Sequence, residues 1–150
     1  MNRLMGIDYG NTRVGIAITD PLRITTSGFA TLINDETLLE NIKEIVIQKE
    51  ISEIVVGLPY DQNSEIGPQA RIVIDFISDL VKFLKNSNIT LRIYEQDERY
   101  STIEAKTIMK SVKVKNKNIK KELDQVAACG ILRDFMNSRT KKELVLPDLS

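Results

Sequence analysis

The sequence has no histidine, no tryptophan and a single cysteine, Cys129, in 150 residues. Without an imidazole there is no Ser-His-Asp triad, no H-E-x-x-H zinc site and no histidine general base. One cysteine also excludes a tetrahedral Cys/His zinc site and an internal disulfide, which fits a reducing, cytoplasmic setting. Cys129, between Ala128 and Gly130, reads as a small core residue. Aromatics are only 5%, and Tyr9, Tyr60, Tyr94 and Tyr100 form no regular stacking platform of the kind used to hold single strands. No apolar run approaches the ~20 residues of a membrane span, and the N-terminus lacks the pattern of a secretory signal. Lys plus Arg and Asp plus Glu are 21 each, so bulk charge points to no particular partner. An enzyme of this composition works with carboxylates, lysines, hydroxyls and a hard metal ion.

The length suits one domain with one sizeable core. Residues 3–9 and 13–19 read as strands joined by a tight turn at Gly10-Asn11-Thr12, and a third strand is expected over 28–33. In the second strand Val14, Ile16 and Ile18 share one face. Gly15, Ala17 and Thr19 share the other, which leaves room for a close neighbour. Leu38, Leu39, Ile42, Ile45 and Val46 recur at helical spacing after a cap at Asn34 or Asp35. A buried strand over 53–59 follows, cut off by Gly57 and Pro59. Next come a polar loop, an amphipathic helix over 68–84 with Pro68 in its first turn, and a strand over 89–98. Ser101-x-x-Glu104 has the form of a capping box. The lysine-rich stretch 111–121 reads as a loop, 121–137 as a last helix and 140–150 as a C-terminal tail, leaving 1–139 as one domain. The order of elements predicts an α/β fold, with an antiparallel meander first and parallel strands added through helices.

Three carboxylates sit where packing alone does not ask for them. Asp8 interrupts an apolar strand. Glu98, beside Asp97, stands where the fifth strand ends. Asp124 shares a helical stripe with Ala128, Ile131 and Phe135 and so faces the core, among the small residues Ala127, Ala128 and Gly130. Each has a plain explanation alone: a bond to a turn amide, a solvated strand end, a carboxylate in the first turn of a helix. Together, two strand ends and an inward helix face bring three acids to one edge of the sheet, where they repel one another and raise each other's pKa. A divalent hard cation resolves that conflict, as in metal-assisted phosphodiester hydrolysis.

At these residues the chain resembles the YqgF/RuvX family, the Holliday-junction resolvase or pre-16S rRNA nuclease group. The resemblance runs from about Leu4 to Asn137. It rests on Asp8, Gly10, Arg13 and Gly15 of D-x-G-x-x-R-x-G; on Val56-Gly57-Leu58-Pro59; and on Gly67-Pro68-Gln69. It continues through Asp97-Glu98-Arg99-Tyr100-Ser101-Thr102-Ile103-Glu104-Ala105 and ends with Asp124 before Ala127-Ala128. The resemblance implies an RNase H-like fold with a mixed five-stranded sheet flanked by helices. It implies a Mg²⁺- or Mn²⁺-dependent endonuclease with Asp8, Glu98 and Asp124 as catalytic metal ligands. The implied biology is processing of the 5′ end of pre-16S rRNA in cytoplasmic ribosome maturation, with branched-DNA cleavage as the alternative. Implied partners are nucleic acid and ribosomal precursor particles, with no membrane, for a monomer or weak homodimer. The chain departs from the family where relatives read L-N-M-D-G-S after V-G-L-P, since here 60–65 reads Tyr-Asp-Gln-Asn-Ser-Glu. It departs again at Thr12, where many relatives carry lysine.

From Lys106 to Lys121 there are seven lysines and no acid. They read either as a solvated loop or as a phosphate clamp in which Lys110, Lys113, Lys115, Lys117, Lys120 and Lys121 track a backbone without reading bases. Arg13 and Arg99 flank the strand carboxylates and either hold a scissile phosphate or pair with an acid. Two rival readings stand beside the nuclease. One is an ATP-binding half-domain, because D-x-G-x-x-x-x-G also resembles the phosphate-binding hairpin of the actin, Hsp70 and sugar-kinase ATPases. The other is a non-catalytic RNA-binding or ribosome-assembly factor on a nuclease fold.

Overall fold

The computed structural model describes residues 2–60, 63, 65–98, 117–138 and 142–143. The first half of the chain forms β1 (Arg3–Tyr9), β2 (Arg13–Thr19), β3 (Thr26–Ile33), α1 (Leu38–Gln48) and β4 (Ile51–Leu58). The second half adds α2 (Pro68–Asn86), β5 (Arg92–Asp97), α3 (Lys117–Asn137) and the two-residue β6 (Lys142–Glu143). The sheet order is β3-β2-β1-β4-β5-β6. β1, β2 and β3 pair antiparallel, as adjacent strands joined by short turns must. β4 and β5, reached through helices, pair parallel to β1 and to each other. This is the meander-plus-crossover order expected from the sequence, with one addition. Lys142–Glu143, in the stretch expected as a tail, pairs antiparallel with β5.

The alternation of side chains along the central strands divides the core in two. Met5, Ile7, Val14, Ile16, Ile54 and Val56 pack on one face under α1 and α2. Leu4, Ala17 and Val55 pack on the other, under Ala128, Cys129, Ile131, Leu132 and Phe135 of α3. Cys129 is buried there, as expected of a small core residue. The second layer is thin because α3 lies almost on the sheet backbone. At Gly15 a Cβ would collide with the main chain of Asp124, and at Gly6 with Leu132 and the Ala128 carbonyl. The small face of β2 is therefore the seat of α3. Gly15→Ala is expected to push α3 outward, destabilise the fold by about 2 kcal/mol through overpacking, and shift Asp124 relative to Asp8. Thermal melts together with a nucleic-acid cleavage assay check this. A variant with unchanged stability would mean that α3 has slack at this point.

Several boundaries differ from the sequence expectation. α1 starts after Thr37 rather than Asn34 or Asp35; Asp35 instead accepts hydrogen bonds from the Thr37 amide and hydroxyl and steadies the turn before the helix. Gly57 does not end β4, which runs through it to Leu58. α3 begins at Lys117, so the end of the expected lysine loop is helical. Asp124 consequently lies in the third turn, too deep for the helix-terminus explanation of its charge. The expected capping box at 101–104 lies outside the described residues.

Candidate active site

Asp8 is at the C-terminal end of β1, on the same face as Leu4 and Gly6, toward α3. Its cross-strand partner is Gly15, and Gly15 is the residue on which the Asp124 backbone rests. The glycine thus puts the helix carboxylate beside the strand carboxylate. On the other side of β1, Ile7 pairs with Val56 of β4, and Gly57 follows. A Cβ at Gly57 would run into the carboxyl group of Glu98. Glu98 follows β5 directly, its amide bonded to the Leu58 carbonyl at 3.0 Å, and it is 8% exposed. Asp8, Glu98 and Asp124 therefore gather at one edge of one face, around two glycines that make room for them. The turn next to them is clamped by Asn34, whose amide side chain donates to the Gly10 carbonyl at 2.8 Å and whose backbone N–H donates to that of Thr12 at 2.9 Å.

The electrostatics record this crowding. The Asp8 carboxyl is raised from an ordinary 3.8 to about 6, first by burial and then by the charge of Asp124. Glu98 is pushed well above its ordinary value by burial, and further by Asp8, Asp134 and Asp97. Asp124 has a cation: Arg13 donates its Nε–H to Oδ2 at 2.8 Å. Among the described residues nothing donates a hydrogen bond to the Asp8 carboxylate. Likewise, no three acidic or sulfur side chains among them stand close enough to enclose a metal ion as they are. The acids act on one another in pairs, Asp124 on Asp8 and Asp8 on Glu98.

The donor set nevertheless fits a hard divalent ion. All three side chains offer carboxylate oxygen, the ligand such ions take. A double positive charge among them would reverse the desolvation and repulsion that hold Asp8 and Glu98 toward their neutral forms.

The remaining expected contact residues divide by location. Arg13 is in the site, on an acid. Lys117 opens α3, and Lys120 and Lys121 stand on it near the site, with Lys121 exposed. The Lys121 carbonyl accepts the Thr31 hydroxyl at 2.7 Å, tying this end of α3 to β3. Arg99, Lys110, Lys113 and Lys115 lie outside the described residues. Sequence reasoning does not single out Asp134, nearly three turns after Asp124 on α3, whose charge acts on Glu98. It reads as an ordinary surface acid, and only the spatial approach of α3 to the end of β5 reveals it. Gly57, expected from the sequence to end its strand, instead lies within β4 against Glu98, the close approach that a glycine inside a strand can mark.

The RuvX family model, described as Holliday junction resolvase, matches residues 2–138. A Halothermothrix orenii protein named as a pre-16S rRNA nuclease is 38% identical over 141 residues, 93% of this chain and 97% of its own length. A Roseiflexus protein of the same name is 34% identical over 139 residues, 91% of this chain and 95% of that one. Among solved structures, Thermus thermophilus RuvC in complex with a Holliday junction substrate superposes with a TM-score of 0.55 at 13% identity. That superposition covers 96% of this chain and 100% of RuvC, and it shows a shared RNase H-like fold.

Proposed function

The chain belongs to the RuvX family and is a nuclease, and on that premise we propose that it trims the 5′ end of pre-16S rRNA in the cytoplasm with Asp8, Glu98 and Asp124 as its catalytic carboxylates. The observation that supports the site is geometric: Gly15, the cross-strand partner of Asp8, lies under the Asp124 backbone, and Gly57, next to the β1–β4 pairing, lies against the Glu98 carboxyl. The three residues would hold Mg²⁺ or Mn²⁺, the divalent chemistry that the fold and family imply. Such an ion, when bound, supplies a water nucleophile at neutral pH and offsets charge on the phosphate under attack. The residues themselves offer acceptor oxygens, and Gly15 and Gly57, having no side chains, leave room for the Asp124 backbone and the Glu98 carboxyl group. With no histidine in the chain, the proton of the attacking water leaves to solvent or to a phosphate oxygen of the substrate. Among the described residues no helix is long and apolar enough to cross a membrane.

The lysines that open α3, with Arg99, Lys110, Lys113 and Lys115 before them, bind the substrate backbone in this reading. Neutralising Lys117, Lys120 and Lys121 together is expected to reduce the slope of log affinity against log salt by about 2 for a single-stranded RNA. Mg²⁺ affinity should hardly change. An unaltered slope in an anisotropy titration would remove these residues from the substrate path.

A second reading, cleavage of branched DNA, is favoured by the family's own description. The deciding experiment offers the purified protein, with Mg²⁺ or Mn²⁺, a pre-16S 5′-leader RNA and separately a four-way DNA junction. Ion-dependent cutting of the RNA, absent in Asp8→Asn, supports the first reading. Preferential cutting of the junction supports the second. Cutting of neither, by a folded protein, overturns both.

A further inference from the structure

Arg13 and Asp124 are 111 positions apart in the chain and meet at 2.8 Å through a single contact, Nε to Oδ2. The pair is half-sheltered, with side-chain exposures of 31% and 17%, so solvent does not screen it fully. Its geometry is one-sided. A guanidinium that serves only to neutralise a carboxylate prefers the two-pronged arrangement through both nitrogens of one edge. Here, among the described residues, both Nη groups of Arg13 and Oδ1 of Asp124 have no hydrogen-bond partner. The arginine also sits on the one acid of the three that an incoming cation must share with it. Asp8, a few residues earlier on the same hairpin, has no such cation among the described residues.

We infer that Arg13 is a resident counter-ion that a divalent cation displaces from Asp124, and that the released guanidinium then takes a phosphate of the nucleic acid. The inference rests on the metal-dependent reading above. Before loading, Arg13 neutralises Asp124 and keeps the acidic edge from collecting full negative charge. On loading, two positive centres compete for one carboxylate, and the doubly charged one holds it. Arg13, repelled by the ion and carrying five N–H donors, then finds its best acceptor in a phosphate lying over the site. Ion binding and substrate binding thereby become favourably linked, and a linkage of this kind is reciprocal. The nuclease would hold nucleic acid firmly only when it is armed to cut.

The test measures two bindings rather than cleavage. Mn²⁺ is titrated into the wild type, Arg13→Gln, Arg13→Lys and Asp8→Asn, each first shown to be folded by its thermal melt. A short labelled RNA hairpin is then titrated by anisotropy with and without Ca²⁺. Removing a unit positive charge beside the ion should tighten Mn²⁺ binding to Arg13→Gln by about tenfold. Arg13→Lys, which keeps the charge, should stay near the wild type. Ca²⁺ should strengthen hairpin binding by the wild type and do so far less for Arg13→Gln. Equal or weaker Mn²⁺ binding by Arg13→Gln, with Asp8-dependent Mn²⁺ binding intact in the wild type, overturns the inference and leaves the metal site standing. An equal Ca²⁺ gain in both proteins overturns it in the same way. A wild type with no Asp8-dependent Mn²⁺ binding overturns the metal reading itself and the inference with it.

Discussion

Asp8→Asn is expected to abolish cleavage while making the ion-free protein more stable. The two effects have one cause. Asp8 stands in a partly buried position next to Asp124, and burial and then that charge raise its carboxyl to about 6 from an ordinary 3.8. Ionised at pH 8, it carries a penalty of about 3 kcal/mol, because every tenfold change in proton affinity is worth about 1.4 kcal/mol. Asparagine has the same shape and no charge, and its amide can donate toward the neighbouring carboxylates. The melting temperature at pH 8 without divalent ions should therefore rise by roughly 5–10 °C for a chain of this size. Cleavage should fall by more than ~100-fold, since even a partner that merely supports a metal ligand is worth 10–100-fold. Added Mg²⁺ should stabilise the wild type and leave the variant nearly unmoved. A melt and a gel assay on the same preparation decide the matter. A variant that cleaves normally, or one that is less stable than the wild type at pH 8, would remove Asp8 from the role assigned to it.

What can be read from the sequence, and what cannot, follows from how far each signal reaches. The face of β2 made of Gly15, Ala17 and Thr19 announces a close neighbour, and α3 is that neighbour. The stripe of Asp124, Ala128, Ile131 and Phe135 announces an inward acid, and the last three are buried in the layer under α3. Periodicity works in such places because burial depends on direction, and direction is set locally. The start of α3 escapes sequence reasoning because 117–121 is mostly lysine and asparagine. Such a stretch carries no apolar period even when it is helical. β6 escapes it because a two-residue strand is specified by its partner, β5, and not by its own residues. The Arg13–Asp124 pair has no local signature at all. Each residue stands out in its own motif, but that they touch depends on the β1–β2 hairpin and α3 meeting from opposite ends of the chain. The influence of Asp134 on Glu98 is hidden for the same reason.

The stability of the ion-free protein is expected to peak in mildly acidic solution and to fall as the pH rises toward neutrality, contrary to the usual course for a protein rich in carboxylates. The sign comes from the direction in which burial and repulsion move the two acids. Asp8 and Glu98 have folded values above their ordinary ones, so the folded protein binds more protons than the unfolded chain in the interval between. Stability then decreases with rising pH across that interval. For Asp8 the interval runs from 3.8 to about 6, and the loss amounts to about 3 kcal/mol once it is passed. Glu98, raised in the same direction, adds to the fall. The opposite limb belongs to acids such as Asp20, held low by the Thr25 and Ile24 amides, and Asp35, held low by the Thr37 hydroxyl and amide. Their contribution is lost as the pH drops through their folded values. Thermal melts from pH 4 to pH 8, with EDTA and then with Mg²⁺, should show a decline in the first series that the second largely removes. An ion that binds the folded state alone stabilises it in proportion to the logarithm of its concentration over its dissociation constant. The ion's benefit should grow with pH, because only ionised acids hold it. A flat or rising ion-free profile between pH 5 and pH 7.5 would mean that Asp8 and Glu98 are not strained by their surroundings. The charge conflict that motivates the metal site would then not exist.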